Sequence, residues 1–298
     1  MEELLEVKNQ IKVFVEEIGD KKSLELLALL SEGKMLRSKL ILKIAGVSAE
    51  SIKLCAIVEM IQSASLLHDD VIDEADTRRG KPSINALFDN KTSIMFGDIL
   101  YSKAFTQLTT MDKDVAFTIS NSVTLLSVGE MMDVDLTETF NTSYDKYYEM
   151  IYKKTASLIE ASAKAAALLS NKDADAFALY GKNLGLAFQM IDDILDITQD
   201  SITLGKPAML DFVEGKVTIP YLLLHERIED KKKLESFYKQ PLSNEDQMWI
   251  KQQMIETKAL EDSVKQAQKL GLEAIKSIKI YNNEDLENIM SQMINREF

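Results

Sequence analysis

Residues 66–80 read Leu66-Leu67-His68-Asp69-Asp70-Val71-Ile72-Asp73-Glu74-Ala75-Asp76-Thr77-Arg78-Arg79-Gly80, and their core returns as Met190-Ile191-Asp192-Asp193-Ile194-Leu195-Asp196. Each copy sets three aspartates in a DDxxD pattern inside an otherwise apolar run. The run before the first trio begins at Ser51 and carries Ile52, Leu54, Ile57, Val58 and Ile61. A helix that is apolar on most sides belongs in the middle of a bundle. On such a helix the first and third aspartates lie four residues apart and share one face. Like charges at that spacing repel, so the arrangement is unfavourable until cations fill it. A single DDxxD reads as well as a solvated surface. Two copies in apolar surroundings do not, because solvated faces have no reason to recur inside hydrophobic sequence. With one cysteine and two histidines in the chain, hard carboxylate oxygens favour Mg²⁺, whose shell is completed by water and phosphate oxygens. Two such sites facing each other suit a diphosphate held between them.

Outward from these stretches the sequence reads as helix. Only 4 prolines and 11 glycines punctuate 298 residues, and none of the prolines falls between Pro82 and Pro207. Abundant Leu, Ala, Glu, Lys and Met then predict long helices with short connections. Helical pattern covers an amphipathic start over 1–30, then 34–45, 51–73, 92–109, 113–136, 143–170, 173–200 and 217–229, with a charged amphipathic tail over 243–298. No alternating strand pattern bounded by turn residues is present. Without a linker or a shift in composition, the expectation is one all-α domain over 1–298.

Composition narrows the function. Hydrophobic residues make up 46 % and charged ones 28 %, the balance of a soluble globular protein. A net charge of −13 argues against nucleic-acid binding through the phosphate backbone. Cys55 stands alone, so no intramolecular disulfide forms and a reducing compartment is expected. Met1-Glu2-Glu3-Leu4 lacks the basic and apolar regions of a signal peptide, and no apolar run is read as long enough to span a bilayer. The expected location is cytoplasmic.

Cations cluster beside the aspartates. Lys34 and Arg37 open a helix, where backbone N–H groups also favour an anion. Arg78 and Arg79 follow the first trio, and Lys206 and Lys216 follow the second. Each alone reads as a solvated surface cation. Their repeated placement next to a chain break and an aspartate trio marks them as anion-binding candidates, arginine by bidentate contact and lysine as a point charge. His68 reads as a packing residue ahead of the aspartates, and Met131-Met132 as core filler.

From about Gly33 to Pro220 the sequence resembles the trans-type polyprenyl diphosphate synthases. The matching blocks are Gly33-Lys34-x-x-Arg37, residues 66–85, Lys154-Thr155, Phe188-Gln189-Met190-Ile191-Asp192-Asp193, Leu204-Gly205-Lys206-Pro207 and Asp211-x-x-x-Gly215-Lys216-x-Thr218-x-Pro220. The resemblance implies a helical bundle of the isoprenoid synthase type with a central active-site cavity, working as a homodimer. It implies head-to-tail condensation of isopentenyl diphosphate with an allylic diphosphate, farnesyl diphosphate being the expected primer. Asp69, Asp70, Asp73, Asp192, Asp193 and Asp196 then hold Mg²⁺ on the allylic diphosphate, with Arg78, Lys154, Lys206 and Lys216 neutralising its charge. Lys34, Arg37, Gln62 and Arg79 bind isopentenyl diphosphate, and Thr155 and Gln189 set oxygens near the developing cation. Gln62 stands where many relatives carry His, and Glu32 replaces the first glycine of the usual GGK.

Ala64 and Ser65 fall at positions that line the tail pocket in this family. Both are small here, which implies a long product of octaprenyl length, suited to a quinone side chain. Ile61 and Met131 or Met132 are the candidates for a more distant floor, and product release implies peripheral membrane association. The rivals are a short-chain farnesyl or geranylgeranyl diphosphate synthase, a terpene cyclase, and a non-catalytic partner subunit. Intact aspartate trios speak against the last, and Lys34, Arg37 and Arg79 against a cyclase.

Overall fold

The computed structural model describes residues 2–31, 33–199 and 208–294. The chain is all-α. Its helices are α1 (Glu2–Glu16), α2 (Lys21–Leu29), α3 (Leu36–Ala45), α4 (Ala49–Ile72), α5 (Ile84–Leu87), α6 (Asn90–Leu108), α7 (Lys113–Leu136), α8 (Tyr144–Ile151), α9 (Ser157–Leu169) and α10 (Ala174–Thr198). Shorter or more polar helices follow at Leu210–Val213, Ile219–Arg227, Lys231–Ser236, Asn244–Glu256, Ala259–Ser277 and Glu284–Ile294. The chain divides into two compact units: Met1–Val123 with Ala161–Ala178, and Thr124–Glu160 with Leu179–Phe298.

In the first unit α4 is the central helix, packed on α1, α3 and α6. Its start is fixed by a reciprocal cap: Ser48 Oγ accepts from Ser51 N at 3.1 Å, and Ser51 Oγ accepts from Ser48 N at 2.9 Å, which satisfies two otherwise orphaned donors. Leu54, Cys55, Ala56, Ile57, Val58, Ile61 and Ala64 are buried. Their removal from water is the dominant favourable contribution to this unit. At the far end Ser93 Oγ of α6 donates to Leu67 O at 2.9 Å. Gly97 of α6 lies directly on the His68 ring, since a Cβ there would stand 2.4 Å from Nε2. His68 Nε2 also lies 3.2 Å from Ile94 O, the packing role read from the sequence.

In the second unit the 179–198 part of α10 occupies the same kind of place. Met190, Ile191, Ile194 and Ile197 join Phe212, Tyr221, Leu222, Ile250 and Met254 in one apolar cluster. Phe212 and Tyr221 stack at 4.1 Å between ring centroids. Tyr180 donates to Leu286 O at 2.7 Å, which ties in the helix Glu284–Ile294. Trp249 packs edge-on against Phe237 at 5.6 Å, with the Lys233 ammonium 4.1 Å from its ring.

The structure departs from the sequence reading in four places. The helix expected over 143–170 is broken by a π-helical turn at Tyr152–Ala156. Where no strand pattern was read, the segment after the first aspartates is a tight hairpin, Thr77–Arg78 pairing antiparallel with Lys81–Pro82. Arg79 and Gly80 form its turn at φ of 55° and 73°, the left-handed pair that a two-residue hairpin turn requires. Among the described residues one helix, α7, is long and apolar enough to cross a membrane by length and composition. Finally, Met131 on α7 is 67 % exposed, so it forms no interior floor within this chain. Its neighbour Met132 is half-buried, with Sδ 3.7 Å from Lys153 Nζ.

Candidate active site

At the C-terminal end of α4 the first trio separates into two kinds of aspartate. Asp69 and Asp73 lie one turn apart on the same side of the helix, Asp69 half-buried and Asp73 exposed. Asp70 points away and is 4 % exposed. Arg78 Nε and Nη2 both reach Asp70 Oδ1 at 2.6 Å. Burial pushes the Asp70 carboxyl up and the arginine draws it back. Asn85 Nδ2 donates to Asp70 O at 3.2 Å and to Ala75 O at 3.0 Å, which pins the hairpin that delivers Arg78. A small cleft lined by Ser31, Ser63, Leu66, Leu67, Asp70 and Arg78 opens beside this pair.

A group of cations lies nearby in the same unit. Arg79 Nη1 donates to Ser31 O at 3.1 Å. Gly33 lies flat against that guanidinium, and a Cβ at 33 would stand 2.9 Å from Nη1. Arg37 Nε is buried and has no hydrogen-bond partner among the described residues. Burial pulls the Arg37 guanidinium down to about 10, and Glu59 on α4 acts in the opposite direction. Burial also lowers Arg79, helped by neighbouring Arg78, while Glu59 and Asp70 oppose it. Ser38 N and Oγ donate to Glu59 Oε1 at 3.3 and 2.7 Å, so this carboxylate is fixed. Gln62 stands one turn beyond Glu59, and its Oε1 is buried without a partner among the described residues. Lys34 is exposed. Desolvated guanidinium groups with unspent donors are suited to an anion, because each contact to a phosphate oxygen is then charge-assisted.

The stripe below Asp69 runs through Ser65 and Ile61 at four-residue spacing. Ile61 and Ala64 are fully buried and Ser65 is 5 % exposed. Ser65 Oγ is spent on Gln62 O at 2.9 Å, so the hydroxyl adds little polarity to this wall. Ala64 lies on the neighbouring stripe, one turn before His68.

In the second unit the middle aspartate is again the anchored one. Asp193 is 4 % exposed, with Tyr147 Oη donating to Oδ2 at 2.6 Å and Gln189 Nε2 to Oδ1 at 2.9 Å. Both donors are neutral. Burial, reinforced by Asp211 and Asp192, therefore pushes Asp193 up to about 8, the two hydrogen bonds acting the other way. Asp192 is half-buried. Asp196 is buried; its Oδ2 accepts from Asp211 N at 3.3 Å and its main-chain O from Met209 N at 2.8 Å. This brings Asp211 to the trio.

The π-helical turn carries the remaining polar groups. A π turn adds one residue to a helix and is common at functional positions. Gly129 of α7 touches it, since a Cβ there would be 2.2 Å from Lys154 N, and Gly185 of α10 touches it at Ala156, where a Cβ would be 2.5 Å from Cα. Held by these two approaches, Lys154 Nζ meets Glu130 at 3.1 and 3.0 Å and Asp133 Oδ2 at 2.6 Å. Thr155 Oγ1 donates to Gln189 Oε1 at 2.7 Å. Lys216 Nζ lies 3.0 Å from Glu214 Oε2 and lines a cleft with Asp133, Tyr147 and Thr218. Lys206 and Glu32 lie outside the described residues.

The donor set fits a divalent cation of the Mg²⁺ type. Among the described residues no three acidic, His or Cys side chains converge as a finished cage, and Mg²⁺ needs only one or two carboxylates when phosphate and water complete its shell. Sequence reading did not assign Tyr147, Glu130, Asp133, Glu59 or Asp211. The last stands in a quoted motif, but nothing in sequence spacing links Tyr147 to Asp193, 46 residues away.

The Polyprenyl synthetase family matches residues 23–256. A prenyl transferase of Synechocystis sp. is 40 % identical over 206 residues, which is 65 % of this chain and 64 % of the relative. The curated relatives matched here are spanned over less than two thirds of their own length, 64 % for that protein and as little as 40 % for another. Octaprenyl pyrophosphate synthase from Helicobacter pylori has the same fold, with a TM-score of 0.94, 46 % identity and 99 % of each chain covered. Polyprenyl synthase from Caulobacter crescentus, complexed with calcium and isoprenyl diphosphate, gives a TM-score of 0.87 at 29 % identity, over 99 % of this chain and 95 % of that one. Members of the matched family are divalent-metal-dependent prenyl synthases. Two anchored aspartate trios, a fixed guanidinium group and a match over most of the chain agree: the protein belongs to the polyprenyl synthetase family.

Proposed function

We propose that the chain is a Mg²⁺-dependent trans-prenyltransferase that adds isopentenyl diphosphate head-to-tail to an allylic diphosphate. The observation that carries this reading is that in both trios the middle aspartate is turned onto a protein partner, Asp70 onto Arg78 and Asp193 onto Tyr147 and Gln189, while the first aspartate, Asp69 or Asp192, stays half-buried. Asp69 and Asp73, and Asp192 with Asp196, are the residues that would hold the metal. When bound, Mg²⁺ supplies Lewis acidity to the diphosphate leaving group. Arg78, Lys154, Lys206 and Lys216 neutralise the same group. Arg37, Arg79, Lys34 and Gln62 hold isopentenyl diphosphate, with Gly33 leaving room for the Arg79 guanidinium. Ionisation breaks the allylic C–O bond, and the isopentenyl double bond supplies the electrons for the new C–C bond. Loss of one proton restores neutrality, with released diphosphate as acceptor. Thr155 and Gln189 place oxygen atoms where positive charge develops, a preorganised form of electrostatic stabilisation.

Small residues at Ala64 and Ser65, above a buried Ile61, support a long product, and octaprenyl diphosphate for a quinone side chain is the proposal, with farnesyl diphosphate as primer. The exposed Val128, Met131 and Val134 of α7 support a homodimer joined through that helix. A cytoplasmic enzyme that meets the membrane peripherally at product release completes the reading. The test is turnover of radiolabelled isopentenyl diphosphate with and without farnesyl diphosphate. A synthase incorporates label only when both are present. Consumption of farnesyl diphosphate alone would indicate a cyclase, and no consumption a non-catalytic subunit.

A further inference from the structure

On the π-helical turn the Lys154 ammonium faces two carboxylates at once. Its Nζ lies 3.1 and 3.0 Å from the two Glu130 oxygens and 2.6 Å from Asp133 Oδ2. Glu130 and Asp133 stand three residues apart on α7 and so share one face. They are 8 % and 6 % exposed, and charges act on one another more strongly there than in water. Two carboxylates against one ammonium leave a surplus negative charge. The surplus stands at the second aspartate trio. Thr155, next in the chain, is joined through Gln189 to Asp193, and Asp133 shares a cleft with Tyr147, Lys216 and Thr218. One acidic partner would be enough to anchor Lys154 and hold the turn. A second buried carboxylate adds desolvation cost and like-charge repulsion, which a purely structural clamp has no use for.

We propose that Glu130, together with Asp133, sets how weakly the enzyme holds diphosphate at Lys154. The inference rests on the prenyltransferase reading, in which Lys154 faces the allylic diphosphate. In that reaction the allylic C–O bond breaks and its electron pair leaves with the diphosphate. The isopentenyl double bond supplies the new C–C bond, and one isopentenyl proton passes to the released diphosphate. The diphosphate on the product is therefore the one that arrived with isopentenyl diphosphate. The cleaved one stays in the allylic site and must leave before the lengthened chain can enter as the next allylic substrate. An enzyme that adds several units meets this step at every round. An uncountered ammonium in a buried site would hold the leaving group tightly. The surplus carboxylate discounts that hold. Because it acts through Lys154, Glu130 is a positioning residue and not a catalytic one.

The test is calorimetric titration of the full chain with inorganic diphosphate at saturating Mg²⁺. Glu130→Gln keeps the shape, removes the surplus charge and leaves Lys154 paired one to one with Asp133. Diphosphate should then bind about tenfold more tightly, the worth of one charge-assisted contact. In turnover, KM for the allylic substrate should fall, and KM for isopentenyl diphosphate should stay within about twofold of wild type. Added diphosphate should inhibit at about tenfold lower concentration. Asp133→Asn makes the same change of charge and serves if Glu130→Gln does not fold. Glu130→Gln combined with Lys154→Met restores the wild-type charge and should return diphosphate affinity to within about threefold of wild type. Unchanged or weaker diphosphate binding in the folded single variant would overturn the inference, and so would tighter binding that survives Lys154→Met. Both of those results leave wild-type turnover intact. A wild type without turnover would instead overturn the prenyltransferase reading.

Discussion

Replacing Gly129 by alanine adds a single methyl group where α7 has no room for it. The new Cβ would lie 2.2 Å from Lys154 N and 2.6 Å from both Lys153 C and Lys154 Cα. Ordinary contacts begin near 3.4 Å, so roughly 1 Å of separation must open between α7 and the π-helical turn. All three atoms are backbone, and no side chain can rotate aside to absorb the change. Overpacking of this kind costs about 1–3 kcal/mol. For a chain of this size that lowers Tm by roughly 2–4 °C for each kcal/mol. The catalytic effect should be larger, because the displaced turn carries Lys154 and Thr155, and a misplacement of about 1 Å costs on the order of a hundredfold in rate. The assay is label incorporation from isopentenyl diphosphate, with thermal unfolding followed by circular dichroism. Gly271→Ala is the control, since its Cβ would meet only the ends of the Ile294 and Met290 side chains at 3.0–3.3 Å and should leave turnover near wild type. A Gly129→Ala enzyme with wild-type kcat would show that the π turn does not position the reacting groups.

Three further outcomes are expected. EDTA should abolish turnover and Mg²⁺ restore it, while Asp69→Ala and Asp192→Ala should each lower kcat by about two to three orders of magnitude without unfolding the chain; an active Asp192→Ala variant would exclude the metal assignment. Ser65→Phe should shorten the product and leave the first condensation nearly as fast, and Ala64→Phe should act in the same direction; an unchanged product distribution from both, seen by chromatography of the dephosphorylated alcohols, would refute the tail pocket. Glu59→Gln should destabilise the substrate-free protein by about 1–3 kcal/mol, since the desolvated Arg37 guanidinium loses its counter-charge. Inorganic diphosphate should then raise Tm more than it does in wild type, and equal shifts in the two proteins would show that Glu59 does not compensate Arg37.

Much of the fold was legible because helix periodicity and the scarcity of proline leave few alternatives. The run expected over 51–73 is α4, and 113–136 is α7 residue for residue. Both aspartate trios were visible as repeated pentads, and the sharing of one face by Asp69 and Asp73 follows from helix geometry alone. The partners of the middle aspartates were only half visible. Arg78 stands eight residues from Asp70 and is reachable by a local turn. Tyr147 and Glu59 contribute through tertiary approach, which no local spacing encodes. The π turn was hidden because it adds one residue inside a pattern that still reads as helix, and its determinants, Gly129 and Gly185, lie on other helices. Met131 was misplaced for a related reason: an apolar residue on an apolar helix gives no sign of which side faces solvent.

The most direct test of the central claim is chromatographic separation of the alcohols obtained after incubation with farnesyl diphosphate, radiolabelled isopentenyl diphosphate and Mg²⁺. The account predicts a ladder of all-trans products accumulating at octaprenyl length, absent when either substrate or the metal is left out. Label that never enters an extended chain with both substrates and Mg²⁺ present would contradict it.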